Sequence, residues 1–137
     1  MKTYSRTFPI LIHHVDAAGI VFFANYFILA HDVYEAFLAE IGHGIPKAID
    51  DGEYIIPIAH CEGDYHRPMR HGEHITALLA VTELRSASFT IRTDLVGPDQ
   101  VVRATITTRH VCVSSATMKP MALPTALHKA LAEYLRA

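Results

Sequence analysis

Asp16 stands where an apolar run gives way to small residues: Phe8-Pro9-Ile10-Leu11-Ile12 lies before it and Ala17-Ala18-Gly19 follows. A carboxylate at the end of a strand, in apolar surroundings, loses hydration that only hydrogen bonds can replace. Helical spacing begins a few residues later. A helix N-terminus carries backbone N–H groups with no partner in their own helix. Such donors can stabilise an oxyanion that develops on a substrate carbonyl. A carboxylate beside them can attack that carbonyl, or take a proton from a water that does. Asp is equally at home closing an Asx turn or capping a helix, so position alone leaves both roles open.

Other candidate chemistry is weaker. His60-Cys61 and His110-Val111-Cys112 hold metal-ligand residue types. Residues two apart on a strand share a face, so His110 and Cys112 point together. Zinc sites need three or four convergent ligands, and no Cys-x-x-Cys or His-Glu-x-x-His pattern is present, so no metal is expected. Cys61 and His60 are neighbours and face opposite sides of a strand, which is wrong for a thiolate–imidazole pair. A Gly-x-Ser-x-Gly elbow is missing. Gly42-His43-Gly44 ends a helix and does not open one, so it is not a phosphate loop. Arg67, Arg70 and His71, with Arg85 and Lys119, are the candidates for polyphosphate, because guanidinium groups bind phosphate through paired hydrogen bonds. Taken singly, each also reads as a solvated loop charge.

These residues need elements to position them. The chain has 137 residues, 50% hydrophobic and 19% charged, which fits one domain over residues 1–137 and excludes a disordered chain. A formal net charge of -2 without a basic cluster excludes a nucleic-acid partner. Two cysteines inside apolar runs point to a reducing, cytoplasmic setting. The longest uncharged stretch, Ala17 to Ala30, falls short of the ~20 residues that span a bilayer, so no membrane association is expected.

Residues 4–14 read as a strand that starts half-exposed and ends buried. Phe23, Phe27, Ala30, Tyr34, Phe37, Leu38 and Ile41 recur at three-and-four spacing, which predicts a helix over about 23–41. Ile28, Leu29, Val33 and Ala36 make it apolar nearly all round, so it must be covered on most sides. Gly42, Gly44 and Pro46 stop it, and Lys47–Glu53 reads as a loop. Four strand-like segments follow, at about 54–66, 73–84, 87–96 and 101–114, then a closing helix from Pro124 to Arg136. The order predicts an α+β fold with five antiparallel strands curled around one helix. A second copy of the chain is expected to complete its cover.

Asp16-Ala17-Ala18-Gly19-Ile20-Val21-Phe22-Phe23-Ala24-Asn25-Tyr26 resembles the motif of the hotdog-fold acyl-CoA thioesterases of the 4-hydroxybenzoyl-CoA type. The resemblance covers the order of elements over nearly the whole chain. It implies a five-stranded antiparallel sheet wrapped around a long central helix, assembled as a homodimer or homotetramer. It also implies hydrolysis of an aromatic acyl-CoA, with no cofactor beyond the coenzyme A of the substrate. Asp16 would then be the catalytic carboxylate, Gly19 would keep the turn open, and the N–H near Phe23 would polarise the thioester carbonyl. Asn25 and Tyr26 would shape the site. Ser88-Phe89 resembles a step of the family's third strand, and the basic residues that can precede it are reduced here to Arg85, followed by Ser86. That departure shifts weight for the phosphate contacts to Arg67 and Arg70.

A second group of residues is similar to the 1,4-dihydroxy-2-naphthoyl-CoA hydrolase subgroup: His31, Tyr34-Glu35, Pro57, His60, Pro68, Gly72, residues 109–113 and Lys119-Pro120. Both resemblances point to a hydroxylated aromatic acyl group; His31 and His60 are the candidates to bind it, with His60 placing a ring hydroxyl or a water from a facing protomer. A short- or medium-chain acyl-CoA thioesterase, or a non-catalytic acyl-CoA or acyl-carrier binding module, are the alternatives on the same scaffold.

Overall fold

The computed structural model describes residues 2–136. Strand β1 (Tyr4–Pro9) leads through a single 3-10 turn (Ile12–His14) to helix α1 (Asn25–Glu40) and a short helix α2 (Ile45–Asp51). Strands β2 (Tyr54–Ile55), β3 (Ile58–Tyr65), β4 (His74–Leu84), β5 (Ser88–Val96), β6 (Val102–Val111) and β7 (Val113–Ser114) follow, and helix α3 (Thr125–Ala132) closes the chain. Five strands form an antiparallel sheet in the order β1-β4-β5-β6-β3, and β2 pairs with β7.

Alternation along the central strands explains the core. Ile75, Ala77, Leu79 and Val81 of β4, Phe89, Ile91 and Leu95 of β5, and Ala104 and Ile106 of β6 turn one sheet face inward. Against them α1 buries Tyr26, Leu29, Ala30, Val33, Tyr34, Phe37 and Leu38, the three-and-four stripe expected of an amphipathic helix. Removing a side chain such as Val33 or Phe37 from water stabilises the fold by roughly 1.5–3 kcal/mol each.

The structure corrects the sequence reading at several places. The first strand stops at Pro9; buried Ile10 still exchanges hydrogen bonds with the Glu73 carbonyl and the Gly72 N–H, and the segment beyond it is exposed, with Ile12 71% accessible. Residues 45–51 are helical: Pro46 opens this helix at its first turn, where proline is tolerated, and Gly52, at φ 66°, ends it. The segment 101–114 divides at Cys112 into β6 and β7. The closing helix ends at Ala132, after which Leu135 bridges Val81. β3 does not pair with β4, its successor in sequence. It lies at the far edge beside β6, and the connection 66–73 crosses the end of the sheet to reach β4.

Helix α1 is covered on one face within the chain. Ile28 is 56% exposed on the other, with His31, Asp32 and Glu35 beside it. β3 is an edge strand exposed along almost its whole length, including Ile58 and Tyr65.

Candidate active site

The Asp16 turn is tight. Its N–H donates to the Ile20 carbonyl at 2.9 Å, and its carbonyl accepts the Gly19 N–H at 3.0 Å. Gly19 sits at φ 78° in the left-handed region, which glycine adopts without penalty; a Cβ there would meet nothing within 4 Å, so backbone conformation, not space, sets the requirement. The Asp16 carboxylate accepts the Ala18 N–H through Oδ1 at 2.8 Å, an Asx turn. Among the described residues no donor reaches Oδ2. One oxygen thus holds the turn and the other is free for chemistry.

The start of α1 lies beside this turn. The His14 carbonyl accepts both the Phe22 N–H at 3.1 Å and Asn25 Nδ2 at 2.8 Å. The N–H groups of Asn25, Tyr26 and Phe27 turn back to the carbonyls of Phe22, Phe23 and Ala24. The backbone donors left without an acceptor among the described residues are therefore those of Phe23 and Ala24, one step before the helix. Asn25 locks the turn that presents them. Asp16, Phe22, Phe23, Tyr26, Tyr65 and Arg67 line one open cleft of about 410 Å³.

Two groups, one in the wall and one beneath it, were not singled out in the sequence. Tyr65 Oη donates to the Phe23 carbonyl at 3.1 Å, and its ring meets that of Tyr26 edge-on at 4.7 Å. Burial pushes both phenols above their ordinary pKa, so both stay neutral donors. The second is Arg103, buried under the connection 66–73. Its carbonyl accepts the N–H groups of His66 and Arg67 at 2.8 and 3.0 Å. Its guanidinium donates to the Pro68 carbonyl at 2.8 Å and to both Glu73 oxygens at 2.9 and 3.0 Å. Glu73 Oε1 also accepts the Arg70 N–H at 2.7 Å, and Asp99 lies 3.3 Å from the guanidinium. The Arg103 hydrogen bonds hold the Glu73 carboxyl below its ordinary pKa. Through this staple the Met69 carbonyl meets the Val21 N–H at 2.8 Å, and Arg67 is held at the cleft wall. A strand arginine and a loop glutamate thirty residues apart carry no local pattern, so only the fold reveals them.

The remaining sequence candidates lie elsewhere in the chain. Arg70 forms an isolated bridge with Ile20 behind the cleft and does not line it. Arg85 pairs with Glu83 at 3.1 Å, and the Ser86 carbonyl accepts the Leu123 N–H. Both sit past the distal end of β4, whose eleven residues span roughly 35 Å from the loop that carries Arg67, so one chain does not bring them to the Asp16 cleft. His31 lies two turns along α1 from Phe23, against two small cavities under α2 and β3. His60 stands exposed on β3, 3.7 Å from Glu62. No three His, Cys, Asp or Glu side chains converge as metal ligands among the described residues. His110 and Cys112 are both buried, His110 against Thr108 at 2.8 Å and Cys112 with its sulfur 4.0 Å from the Ala122 carbonyl.

Residues 10–131 match the thioesterase-like superfamily. The chain is 34% identical over 138 residues to a 1,4-dihydroxy-2-naphthoyl-CoA hydrolase of Rippkaea orientalis, covering 99% of this chain and 96% of that protein. It is 37% identical over 125 residues to the protein of that name from Synechococcus elongatus, covering 90% and 91%. Among solved structures, a 1,4-dihydroxy-2-naphthoyl-CoA thioesterase from Synechocystis superposes with a TM-score of 0.91 at 22% identity, covering 96% of this chain and 97% of the other. That last likeness concerns the fold.

Proposed function

The chain belongs to the thioesterase-like superfamily, and from that membership we propose that it hydrolyses aromatic acyl-CoA thioesters to the free acid and coenzyme A. The observation that carries this reading is the shared cleft in which a free oxygen of Asp16 and the unpaired N–H of Phe23 stand together. The N–H groups of Phe23 and Ala24 receive the thioester carbonyl oxygen and stabilise the oxyanion. Asp16 Oδ2 then attacks the carbonyl carbon. The C–S bond breaks, coenzyme A leaves as its thiolate and takes a proton from solvent, and water hydrolyses the mixed anhydride. The general-base route uses the same atoms: Oδ2 takes a proton from the attacking water and passes it to the leaving thiolate. No cofactor takes part, coenzyme A entering with the substrate.

A second copy of the chain supplies what one chain separates. β3 is an open edge, and the exposed face of α1 beside it carries Ile28. Antiparallel pairing of two β3 edges about a two-fold axis sets the Tyr65 end of one protomer against the Ile58 end of its partner. His31, His60, Arg85 and Ser86 all belong to the Ile58 end of the sheet. A homodimer, or a tetramer of two such dimers, brings them to the Asp16 cleft, where they meet the aryl group and the coenzyme A phosphates. Both cysteines are free, which suits a cytoplasmic setting, and no helix among the described residues is long and apolar enough to cross a membrane.

The test is turnover of a panel of acyl-CoA esters with free thiol detected. Aromatic esters are expected to give the highest kcat/KM, and Asp16→Asn to abolish turnover with folding intact. Preference for straight-chain esters moves the reading to a short- or medium-chain thioesterase. Binding of acyl-CoA without turnover moves it to a binding module. Mixing Asp16→Asn with Arg85→Ala protomers is expected to restore one complete site in the mixed dimer, and no gain over the separate variants refutes the shared site.

A further inference from the structure

The free amides before α1 are held in place by a turn further upstream. Buried Ile10 is anchored at both backbone groups, to the Glu73 carbonyl at 2.8 Å and to the Gly72 N–H at 2.9 Å. From there the 3-10 turn Ile12–His14 leads to Asp16. Two hydrogen bonds between Leu11 and His14 close that turn. The His14 N–H donates to the Leu11 carbonyl at 3.0 Å, and the Leu11 N–H donates to His14 Nδ1 at 2.8 Å. The His14 carbonyl is the group that accepts both the Phe22 N–H and Asn25 Nδ2. One histidine thus closes the turn with its ring and, with its carbonyl, fixes the chain on both sides of Phe23 and Ala24. Its side chain does not line the Asp16 cleft.

The bond at Nδ1 depends on the protonation of the ring. Nδ1 accepts an N–H, so the neutral imidazole carries its proton on Nε2. A second proton turns Nδ1 into a donor that faces the Leu11 N–H, and the bond is lost. The ring is half-buried. The charged groups that face it are His13, beside it on the turn with ring centroids 4.1 Å apart, and Asp32 of α1. Burial and His13 hold the His14 pKa below its ordinary 6.5, against the pull of Asp32. The ring is therefore neutral, and the turn closed, at neutral pH.

We propose that His14 is a positioning residue for thioester hydrolysis: its neutral imidazole holds the turn that aims the Phe23 and Ala24 N–H groups, and protonation of the ring releases them. Loss of a whole oxyanion donor lowers kcat by about 10²–10³. A donor that is present but loosened is expected to cost less, roughly tenfold, since rate falls steeply with misplacement of the reacting groups. The inference rests on the hydrolase reading for what the two amides do. That His14 sets their position is read without turnover.

Two variants of the intact protein test this by NMR and by kinetics. Asn Oδ1 stands as many bonds from the backbone as His Nδ1, so His14→Asn keeps an acceptor for the Leu11 N–H that does not titrate, whereas His14→Ala removes it. In the unaltered protein the Phe23 and Ala24 amide resonances are expected to move with the midpoint of the His14 ring, observed by ¹⁵N NMR. In His14→Asn they are expected to keep their neutral-pH positions through that range, and in His14→Ala to lie at the acid positions even in alkaline buffer. With an aromatic acyl-CoA ester, kcat/KM of the unaltered protein is expected to fall through the same midpoint, and His14→Asn to lose that step. His14→Ala is expected to lower kcat about tenfold with KM little changed. His13→Gln should raise the midpoint and Asp32→Asn lower it. Amides that follow the ring in a protein without turnover refute the hydrolase reading and leave the positioning intact. Amides indifferent to the ring's protonation overturn the proposal, as does a step in kcat/KM that survives His14→Asn, or full kcat in His14→Ala.

Discussion

Gly97→Ala tests whether the Arg103 staple sets the stability of the cleft wall. Gly97 follows β5 and is buried against the guanidinium. A Cβ built there falls 2.4 Å from Nη2 and 2.5 Å from Cζ and Nε of Arg103, closer than any real contact. A free arginine would swing aside at little cost. This one is held by the Pro68 carbonyl and both oxygens of Glu73, with the side chain 9% exposed, so it cannot move without giving up those bonds. Overpacking costs about 1–3 kcal/mol, and breaking a buried pair about 3–5 kcal/mol. Glu73 is itself 24% exposed, and water recovers part of its loss, which places the expected cost at roughly 2–3 kcal/mol. For a chain of this length that lowers Tm by roughly 6–12 °C. The assay is thermal unfolding by circular dichroism, repeated in an Arg103→Met background, where the extra methyl group has room. The cost is expected to fall to nearly nothing there, a coupling that a double-mutant cycle reads directly. An unchanged Tm in Gly97→Ala, or an equal loss in both backgrounds, refutes the argument.

Four further outcomes follow from the same geometry. Burial holds His110 at a pKa of about 4 against an ordinary 6.5. The unfolded chain therefore takes up a proton below 6.5 that the folded chain refuses, and stability falls as pH drops from 6.5 to 4, at ~1.4 kcal/mol per unit and roughly 3 kcal/mol in all; His110→Phe is expected to flatten that limb in urea titrations. Glu73, whose pKa is depressed by Arg103, adds stability that is complete above its ordinary value of 4.5 and lost as pH falls through the lower folded value; Glu73→Gln should remove that part of the acid transition. Tyr65→Phe removes the hydrogen bond to the Phe23 carbonyl and is expected to lower kcat several-fold with Tm within ~1 °C, since the lost bond is half-exposed. Arg67→Ala is expected to raise KM for acyl-CoA with kcat nearly unchanged, and an unaltered KM would remove Arg67 from the phosphate contacts.

The elements with strong periodicity were legible. The three-and-four stripe from Phe23 to Ile41 marks α1 to within two residues, because its Ala30, Tyr34, Phe37 and Leu38 belong to the buried face; Tyr26, Leu29 and Val33 complete that face, and Phe23 stays exposed before the helix. β4, β5 and β6 follow from alternation and from Gly97-Pro98-Asp99-Gln100, where Gln100 takes the left-handed conformation that the turn needs. The helix at Ile45–Asp51 was not legible. It is short, and its Pro46 reads as a stop after α1 as readily as a first helical position. The pairing of β3 with β6 was not legible either. Sequence shows that two strands exist, whereas the connection 66–73 has enough reach to pass two strands, β6 and β5, and what fixes its path is the Arg103 carbonyl and guanidinium, thirty and more residues away.

The same contrast divides the candidate site. The turn from Asp16 to Gly19 was readable because its carboxylate and its left-handed glycine lie within four residues of each other. The amides without an acceptor among the described residues are those of Phe23 and Ala24, before the helix, because the first three helical amides turn back on the preceding carbonyls. Arg85, Ser86, His31 and His60 could be chosen by type but not placed, since a linear sequence does not state which end of an eleven-residue strand faces the cleft. Their common position at the Ile58 end, against the Tyr65 end that carries Asp16 and Phe23, has one geometric remedy in a protein with an open edge strand. A two-fold axis across β3 exchanges the ends, and no rearrangement within one chain does so without breaking the ladder from β1 to β6. Under the homodimer proposed above, the exposure of β3 and of Ile28 is what lets that exchange occur: a chain that covered its own edge would keep Asp16 in its cleft and leave Arg85, Ser86, His31 and His60 at the other end.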